Sequence, residues 1–209
     1  MDKTREKRIE KIFNPKSIAI VGASRNKKSV GYGIAKNLLE GGTFKSKYCT
    51  PFNGRVYLVN PKADKILGKK CYSDLSSIKN KIDLVIIVVP AIIVEHIVKE
   101  CVKLNIGGII IISAGFAEIG KQGKDLQNKV ALIAKKAGIP IVGPNCLGII
   151  RPSIGMNASF APSMPPKGNV AFISQSGALA DSIIDWAIEA RYGFSTIASI
   201  GNQVDLDHH

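Results

Sequence analysis

Short runs of apolar residues recur along the chain and alternate with longer segments whose apolar residues have helical spacing. The short runs are continuous rather than alternating, which is typical of strands buried on both faces of a parallel sheet. They predict strands at 17–21, 56–60, 84–89, 108–113 and 139–142. The segments between them predict helices at 31–40, 91–104 and 122–137, with glycines close to each helix end. This order predicts a doubly wound α/β domain.

The pattern changes after residue 150. The stretch "RPSIGMNASFAPSMPPKG", residues 151–168, holds four prolines and two glycines and predicts a loop or linker. A second α/β unit follows, with a strand in "NVAFIS", a turn at "QSG", a helix in "ALADSIIDWAIEARYG" and a strand in "FSTIASIG". Two strands are too few for a complete sheet. We therefore expect one domain at 1–150, a linker at 151–168 and the truncated start of another domain at 169–209, with the terminal histidines belonging to a tag.

Composition and charge narrow the classes of function. The 209 residues are 45% hydrophobic and carry a net charge of +13, which favours an anionic partner. The basic residues are scattered and form no nucleic-acid-binding motif, so a phosphorylated small molecule is the better fit. No apolar run is long enough to span a bilayer, and no membrane partner is expected. The four cysteines are far apart, which argues against a metal site or disulfides and predicts a cytoplasmic protein.

The first strand leads into a glycine turn, "GASRNKKSVGYG", at residues 22–33. A dinucleotide fingerprint would need glycines where Ser24 and Lys27 stand, and an acidic residue at the tip of the second strand. That tip reads "NPK", so Lys62 occupies the region where an NAD-binding acid is expected. The turn still offers a helix N-terminus and several cations to a phosphate. The ligand is predicted to carry more phosphate than NAD, and both NADP and coenzyme A (CoA) qualify.

The tips of the later strands read "VVPA", "SAGF" and "GPNCLG". Ligands of open α/β sheets lie beyond the carboxyl ends of the strands. These small residues leave room for a long ligand to lie across the sheet.

Taken in order, "VGAS", "VGYG", "VNPK", "VVPA", "SAGFAE", "GPNCLGII" and "GNVAFISQSGALA" resemble the NDP-forming acyl-CoA synthetases, a superfamily that includes ADP-forming acetate–CoA ligase and the α subunit of succinyl-CoA synthetase. The resemblance runs from about residue 17 to 205. It implies a Rossmann-like CoA-binding domain followed by the start of a flavodoxin-like ligase domain.

The resemblance also implies a set of site residues. The pyrophosphate of CoA would lie against Gly22, Ala23, Ser24, Gly31 and Tyr32, and Lys62 would contact the nucleotide end. Arg25 and Asn60 would also belong to the CoA site. The pantetheine would pass Val89, Pro90, Ser113, Ala114 and Gly115, and the thiol would lie near Asn145 and Cys146. We expect Cys146 to be a buried apolar residue and not a nucleophile. A second phosphate site would form at Ser174, Gln175, Ser176 and Gly177.

The enzymes of this family interconvert acyl-CoA, ADP and phosphate with a carboxylic acid, CoA and ATP through a phosphorylated histidine. The resemblance places that histidine beyond this sequence, so no catalytic residue is predicted here, and His96 is expected to be a surface or partly buried structural residue. ATP, ADP and Mg would belong to an ATP-grasp subunit or fused domain, and the full enzyme is expected to be an oligomeric ligase. The alternatives are a regulatory CoA-binding module, the CoA-domain arm of a protein acetyltransferase, and an NADP oxidoreductase domain.

Overall fold

A computed structural model describes residues 3–44 and 46–206. The helices are α1 (Lys3–Phe13), α2 (Val30–Glu40), α3 (Ala91–Lys103), α4 (Lys121–Lys136) and α5 (Gly177–Glu189). The strands are β1 (Ser17–Val21), β2 (Arg55–Val59), β3 (Lys65–Ile66), β4 (Lys69–Tyr72), β5 (Leu84–Ile87), β6 (Gly108–Ile111), β7 (Ile141–Val142), β8 (Gly148–Arg151), β9 (Met156–Ser159), β10 (Lys167–Ser174) and β11 (Phe194–Ser199). Short 3-10 turns occur at Ala117–Ile119 and Pro152–Ile154.

The larger sheet has seven strands in the order β3-β4-β2-β1-β5-β6-β7. All neighbouring pairs in it are parallel except β3 with β4. The chain adds β2, β3 and β4 on one side of β1 and then β5, β6 and β7 on the other side. The strand order therefore reverses between β1 and β5. The predicted doubly wound, Rossmann-like sheet is confirmed, and the predicted strands agree with the observed ones to within about two residues at either end.

Strand β1 shows why a continuous apolar run suits the centre of this sheet. All five of its residues are buried. Ile18 and Ile20 face the core that also contains residues of α1 and α2, whereas Ala19 and Val21 face the core formed with α3 and α4. Both faces therefore carry apolar side chains from Ile18 to Val21, and the one polar residue, Ser17, lies at the start of the strand, where its Oγ donates to Lys81 O at 3.0 Å.

The second sheet has four strands in the order β10-β11-β8-β9. Strands β8 and β9 are antiparallel, and β8 also pairs antiparallel with β11. The prediction of a loop is therefore wrong for β9, which lies within 151–168 and is buried throughout. Its polar residues resemble a loop in sequence, but they bond to each other and to nearby carbonyls: Ser159 Oγ donates to Asn157 Oδ1 at 2.6 Å, and Asn157 Nδ2 donates to Ala161 O at 3.2 Å.

The two sheets contact each other directly, whereas a flexible linker between them would provide no such contacts. Asn37 of α2 is fully buried, and its Nδ2 donates to the carbonyls of Ser159 and Ala161, both at 2.9 Å. After β11, the backbone N–H of Leu206 donates to Ile141 O at 3.3 Å, at the edge of the larger sheet. The chain thus returns to the first sheet after forming the second. The domain boundaries given above stay a prediction.

The remaining differences concern elements with weak sequence signals. Helix α1 is highly charged, and β3 and β4 are only two and four residues long; none of the three was predicted. On α3, Val94, Val98 and Cys101 form the buried face, and Ile93 is exposed although it is apolar. Within the described part of the chain, no helix is long and apolar enough to cross a membrane.

Candidate functional site

A cleft of about 840 Å³ opens where the carboxyl ends of β1, β5 and β6 meet the second sheet. The site thus lies at the reversal of strand order, where open α/β sheets bind ligands. Its lining residues come from both sheets: Gly22, Ser24, Ser29, Val30, Gly31, Asn60, Val88, Val89, Pro90, Ile112, Ser113, Ala114, Asn145, Cys146, Leu147, Phe160, Gln175 and Gly177.

The turn after β1 brings the N-terminus of α2 against the end of the strand. Gly22 has φ of +98°, a conformation that favours glycine, and a Cβ there would overlap the carbonyl oxygen of Val88. A Cβ on Gly31 would overlap the carbonyl oxygen of Gly22. Ser29 caps the helix, since its Oγ accepts from Tyr32 N at 3.2 Å. The positive end of α2 therefore lies at the floor of the cleft.

The tip of β2 is hydrogen bonded to this turn. Asn60 Nδ2 donates to Ala23 O at 2.7 Å, and Asn60 Oδ1 accepts from Lys62 N at 2.8 Å. The guanidinium of Arg25 donates to Lys62 O at 3.2 Å. Arg25 and Lys62 are both exposed, and in the chain they follow closely on Ser24 and Asn60, which line the cleft.

The opposite wall is built from the ends of β5 and β6 and from the residues after β7. Ser113 Oγ donates to Val89 O at 2.5 Å, which joins the first two of these tips. Cys146 is 4% exposed, and its Sγ donates to Ile111 O at 3.3 Å. Burial raises the pKa of this thiol to about 12, so the thiol is protonated at neutral pH. This wall is largely apolar, and the thiol of Cys146 is not ionised.

A second helix N-terminus reaches the same cleft. Ser176 caps α5 by accepting from Leu179 N at 3.2 Å, and Ser174 Oγ accepts from Ser176 N at 3.0 Å. Gln175 and Gly177 line the cleft. The positive ends of α2 and α5 therefore open onto one cavity, a combination suited to an elongated ligand with more than one anionic group.

Comparison with protein families identifies the larger unit. Residues 16–152 match the family described as CoA binding domain. The chain belongs to the CoA-binding domain family. Residues 167–209 match the family described as succinyl-CoA ligase like flavodoxin domain. The predicted resemblance to the NDP-forming acyl-CoA synthetases is confirmed.

Individual relatives agree with this assignment. The chain is 46% identical to an ADP-forming acetate–CoA ligase of Methanocaldococcus jannaschii over 97% of its own length and 27% of that protein. It is 41% identical to the α subunit of ADP-forming acetate–CoA ligase II of Pyrococcus furiosus, over 95% of this chain and 41% of the subunit. The chain thus spans less than half the length of either relative.

Among solved structures, the chain is similar to the dinucleotide forming acetyl-coenzyme A synthetase 1 of Ca. Korarchaeum cryptofilum, in complex with phosphate and ADP. The TM-score is 0.87 at 37% identity, over 96% of this chain and 41% of that one.

Most residues of the predicted CoA and second phosphate sites line the cleft. These are Gly22, Ser24, Gly31, Asn60, Val89, Pro90, Ser113, Ala114, Asn145, Cys146, Gln175 and Gly177. The other predicted residues lie within two positions of a lining residue but do not line the cleft themselves: Ala23, Arg25, Tyr32, Lys62, Gly115, Ser174 and Ser176. Ala23 is fully buried and can offer only backbone atoms. Which of these residues touch CoA stays a prediction.

Several lining residues were not predicted from the sequence. Phe160 follows β9 and is 46% exposed although it is aromatic, and Val30 is 41% exposed at the start of α2. Val88, Ile112 and Leu147 adjoin predicted residues and could have been found by widening each strand tip by one position. Phe160 carried no such signal, because its approach to the cleft depends on the unpredicted strand β9.

The remaining candidate chemistry lies elsewhere. His96 is exposed on α3 and does not line the cleft, as expected for a surface residue. Among residues 3–44 and 46–206, no group of three or more metal-ligating side chains comes together.

Proposed function

We propose that this chain is the CoA-binding, α-type portion of an ADP-forming acyl-CoA ligase. The proposed overall reaction converts acyl-CoA, ADP and phosphate to a carboxylic acid, CoA and ATP, with acetate the proposed acid. The observation that carries the proposal is that the N-termini of α2 and α5 both open onto the same cleft. A ligand that bears a pyrophosphate and reacts with phosphate at its far end needs two separate anion sites.

Each part of the cleft suits one part of CoA. The pyrophosphate would lie at the glycine turn and the N-terminus of α2, where backbone N–H groups and the helix dipole favour negative charge. The exposed cations Arg25 and Lys62 would meet the ribose phosphate. The pantetheine would follow the apolar wall from Val89 to Ser113, which brings the thiol toward Asn145 and Cys146.

The cap at Ser176 marks the second anion site. We propose that the N-terminus of α5 holds the phosphate that reacts with the acyl group, and we assign no catalytic residue within this chain. This division of roles relies on positioning and charge stabilisation, which are the main contributions of a protein to phosphoryl transfer.

We further propose that a partner supplies the ATP, ADP and Mg site, as an ATP-grasp subunit or fused domain. The second unit leaves apolar surface open to a further domain or subunit. Ile173 of β10 is 54% exposed and Trp186 of α5 is 51% exposed, and together with Val170 and Leu179 they leave much apolar surface uncovered. Strand β10 is also at the edge of its sheet, where its backbone can pair with another strand.

Ligand selectivity tests the CoA assignment. In isothermal titration calorimetry the chain should bind CoA more tightly than NAD or NADP. Lys62→Ala should weaken CoA more than dephospho-CoA, by about 1–3 kcal/mol if the ammonium contacts the ribose phosphate. Lys129→Ala removes the same charge from the exposed side of α4 and should leave both affinities unchanged. Equal or tighter binding of NAD would contradict the proposed function.

A further inference from the structure

The cleft wall after β6 is held by a side chain that does not line the cleft. Glu118, in the short turn Ala117–Ile119, accepts from two backbone N–H groups through Oε1: Gly115 N at 2.5 Å and Phe116 N at 3.0 Å. Gly115 has φ of +102°. The carboxylate therefore fixes the conformation of the wall immediately after Ser113 and Ala114, which line the cleft.

The other oxygen of this carboxylate is bonded to the segment that follows β11. Asn202 Nδ2 donates to Glu118 Oε2 at 2.7 Å and to Gln127 Oε1 at 2.9 Å. Gln127 Oε1 also accepts from Ala117 N at 3.3 Å, so its amide supports the same turn. Asn202 thus reaches the wall after β6 from the second unit.

Asn202 also contacts a second wall of the cleft, through its backbone and its side-chain oxygen. Its N–H donates to Pro144 O at 2.9 Å, and its Oδ1 accepts from Asn145 Nδ2 at 3.4 Å. Two residues further along the chain, the N–H of Val204 donates to Gly143 O at 3.1 Å. The walls after β6 and after β7 are therefore set relative to each other by one asparagine.

We propose that Glu118 and Asn202 are positioning residues that fix the two walls of the cleft around the pantetheine and thiol end of CoA. The proposal rests on the proposed function, because it assigns CoA to this cleft. It adds that the affinity for CoA depends on a residue placed by the second unit. An isolated first unit would lack that support.

The state of the carboxylate agrees with this role. Partial burial opposes ionisation of Glu118, but the hydrogen bonds from Asn202, Phe116 and Gly115 outweigh it and hold the pKa below its ordinary value. The group is thus an anion at neutral pH and can accept all three hydrogen bonds. Charge-assisted bonds of this kind are stronger than neutral ones, and they lose strength when the acceptor is exposed, as Glu118 is.

The test compares CoA with adenosine 3′,5′-bisphosphate, which contains the nucleotide end of CoA and lacks the pantetheine. In calorimetry on the 209-residue chain, Glu118→Gln should weaken CoA by about three- to tenfold and leave the bisphosphate unchanged, since an exposed charge-assisted bond has a modest effect. The glutamine keeps the length of the side chain and one carbonyl oxygen. Its amide group, however, faces the amide of Asn202, and two donors cannot bond to each other.

A donor–acceptor exchange makes the test specific to this pair. Asn202→Asp alone places a carboxylate against Glu118 and should weaken CoA at least as much as Glu118→Gln. The double variant Glu118→Gln with Asn202→Asp restores one donor and one acceptor and should recover part of the affinity. Recovery in the double variant is not expected if either single change merely loosened the fold.

Glu100→Gln is the matched control. Glu100 also accepts from a backbone N–H, that of Ser76 at 3.0 Å, but it lies on α3 outside the cleft lining. This variant should bind both ligands as the unchanged chain does.

The outcomes separate the two proposals. An unchanged chain that binds neither CoA nor the bisphosphate contradicts the proposed function itself. If that chain binds both ligands, the positioning role is overturned by an unaltered CoA affinity in Glu118→Gln, by equal losses for CoA and bisphosphate, or by a double variant no better than Asn202→Asp.

Discussion

The units β1–α2 and β10–α5 are built from the same local parts and differ in how they are covered. Both are strands with an apolar run, followed by a turn and a serine-capped helix, and both capping oxygens accept an N–H at 3.2 Å. Strand β1 lies between β2 and β5, and every residue is buried. Strand β10 lies at a sheet edge, and none of its eight residues is buried.

This difference in burial shows that local structure and burial depend on different parts of the sequence. An apolar run followed by a serine and a helix-forming segment is enough to produce a strand, a turn and a cap. Burial of that strand depends on which strands and helices lie beside it, and those come from distant parts of the chain. Residues 170–173 of β10 are apolar and none of them is buried, and this uncovered surface supports the proposed partner.

The largest expected effect on stability comes from truncating one isoleucine in each strand, Ile20 in β1 and Ile173 in β10. Ile20 of β1 is fully buried, and Ile20→Ala should lower the free energy of unfolding by about 2–5 kcal/mol through lost burial and a cavity. Ile173 of β10 is 54% exposed, and Ile173→Ala should change it by less than about 0.5 kcal/mol. Urea unfolding followed by circular dichroism measures both values.

Equal losses in the two variants would break the comparison, because they would mean that β10 is covered in solution. Analytical ultracentrifugation of the unchanged chain would then show whether a second copy provides the cover.

A smaller effect is expected at a glycine in the first turn of each helix, Gly31 of α2 and Gly177 of α5. A Cβ on Gly31 would overlap the carbonyl oxygen of Gly22, whereas a Cβ on Gly177 would lie 3.4 Å from its nearest neighbour, Leu147 Cβ, an ordinary contact. Gly31→Ala should therefore cost about 1–3 kcal/mol, as overpacking does. Gly177→Ala should be neutral or stabilise the chain by up to about 1 kcal/mol, because alanine favours the helix.

Thermal unfolding of the two variants measures this difference. A stable Gly31→Ala variant that still binds CoA would show that α2 can move away from β1 without damage to the cleft. The close packing of the first turn would then be unnecessary for the site.

The sequence predicts the larger sheet well because its pattern is local. The runs at β1, β5 and β6 are continuous, buried and bounded by turns, so periodicity alone locates them. Strand β9 was not predicted because proline and glycine surround it and its own residues, "MNAS", are weakly apolar. Its buried polar atoms are satisfied by contacts that only the folded chain reveals.

The residues of the candidate site likewise fall into those that the sequence predicts and those that it does not. Residues at strand tips, such as Gly22, Asn60 and Ser113, could be predicted because ligands of this fold bind where strands end. Phe160 and Asn202 could not, since each reaches its place through the return of the second unit onto the first. Glu118 was visible only as part of "SAGFAE", and nothing in that motif indicates its bonds to Gly115 and Asn202.

The smallest effect is expected at the two helix caps, Ser29 and Ser176. Here the two strand–helix units should behave alike. Ser29→Ala and Ser176→Ala each remove a side-chain acceptor from the first turn of a helix and should each cost about 1 kcal/mol. Ser29 should cost slightly more, because its Oγ also donates to Asn26 O at 2.7 Å. Ser182→Ala is the control: this exposed serine bonds to Ala178 O within α5, and alanine should be neutral or stabilising there.

Similar costs at the two caps would mean that α5 begins at Ser176 in solution as firmly as α2 begins at Ser29, although β10 is uncovered. The N-terminus proposed to hold phosphate would then be ordered before any partner binds. A Ser176→Ala variant as stable as the unchanged chain would indicate instead that the first turn of α5 is frayed. In that case, the second anion site would form only when a partner covers β10, and phosphate binding would have to be measured in the presence of that partner.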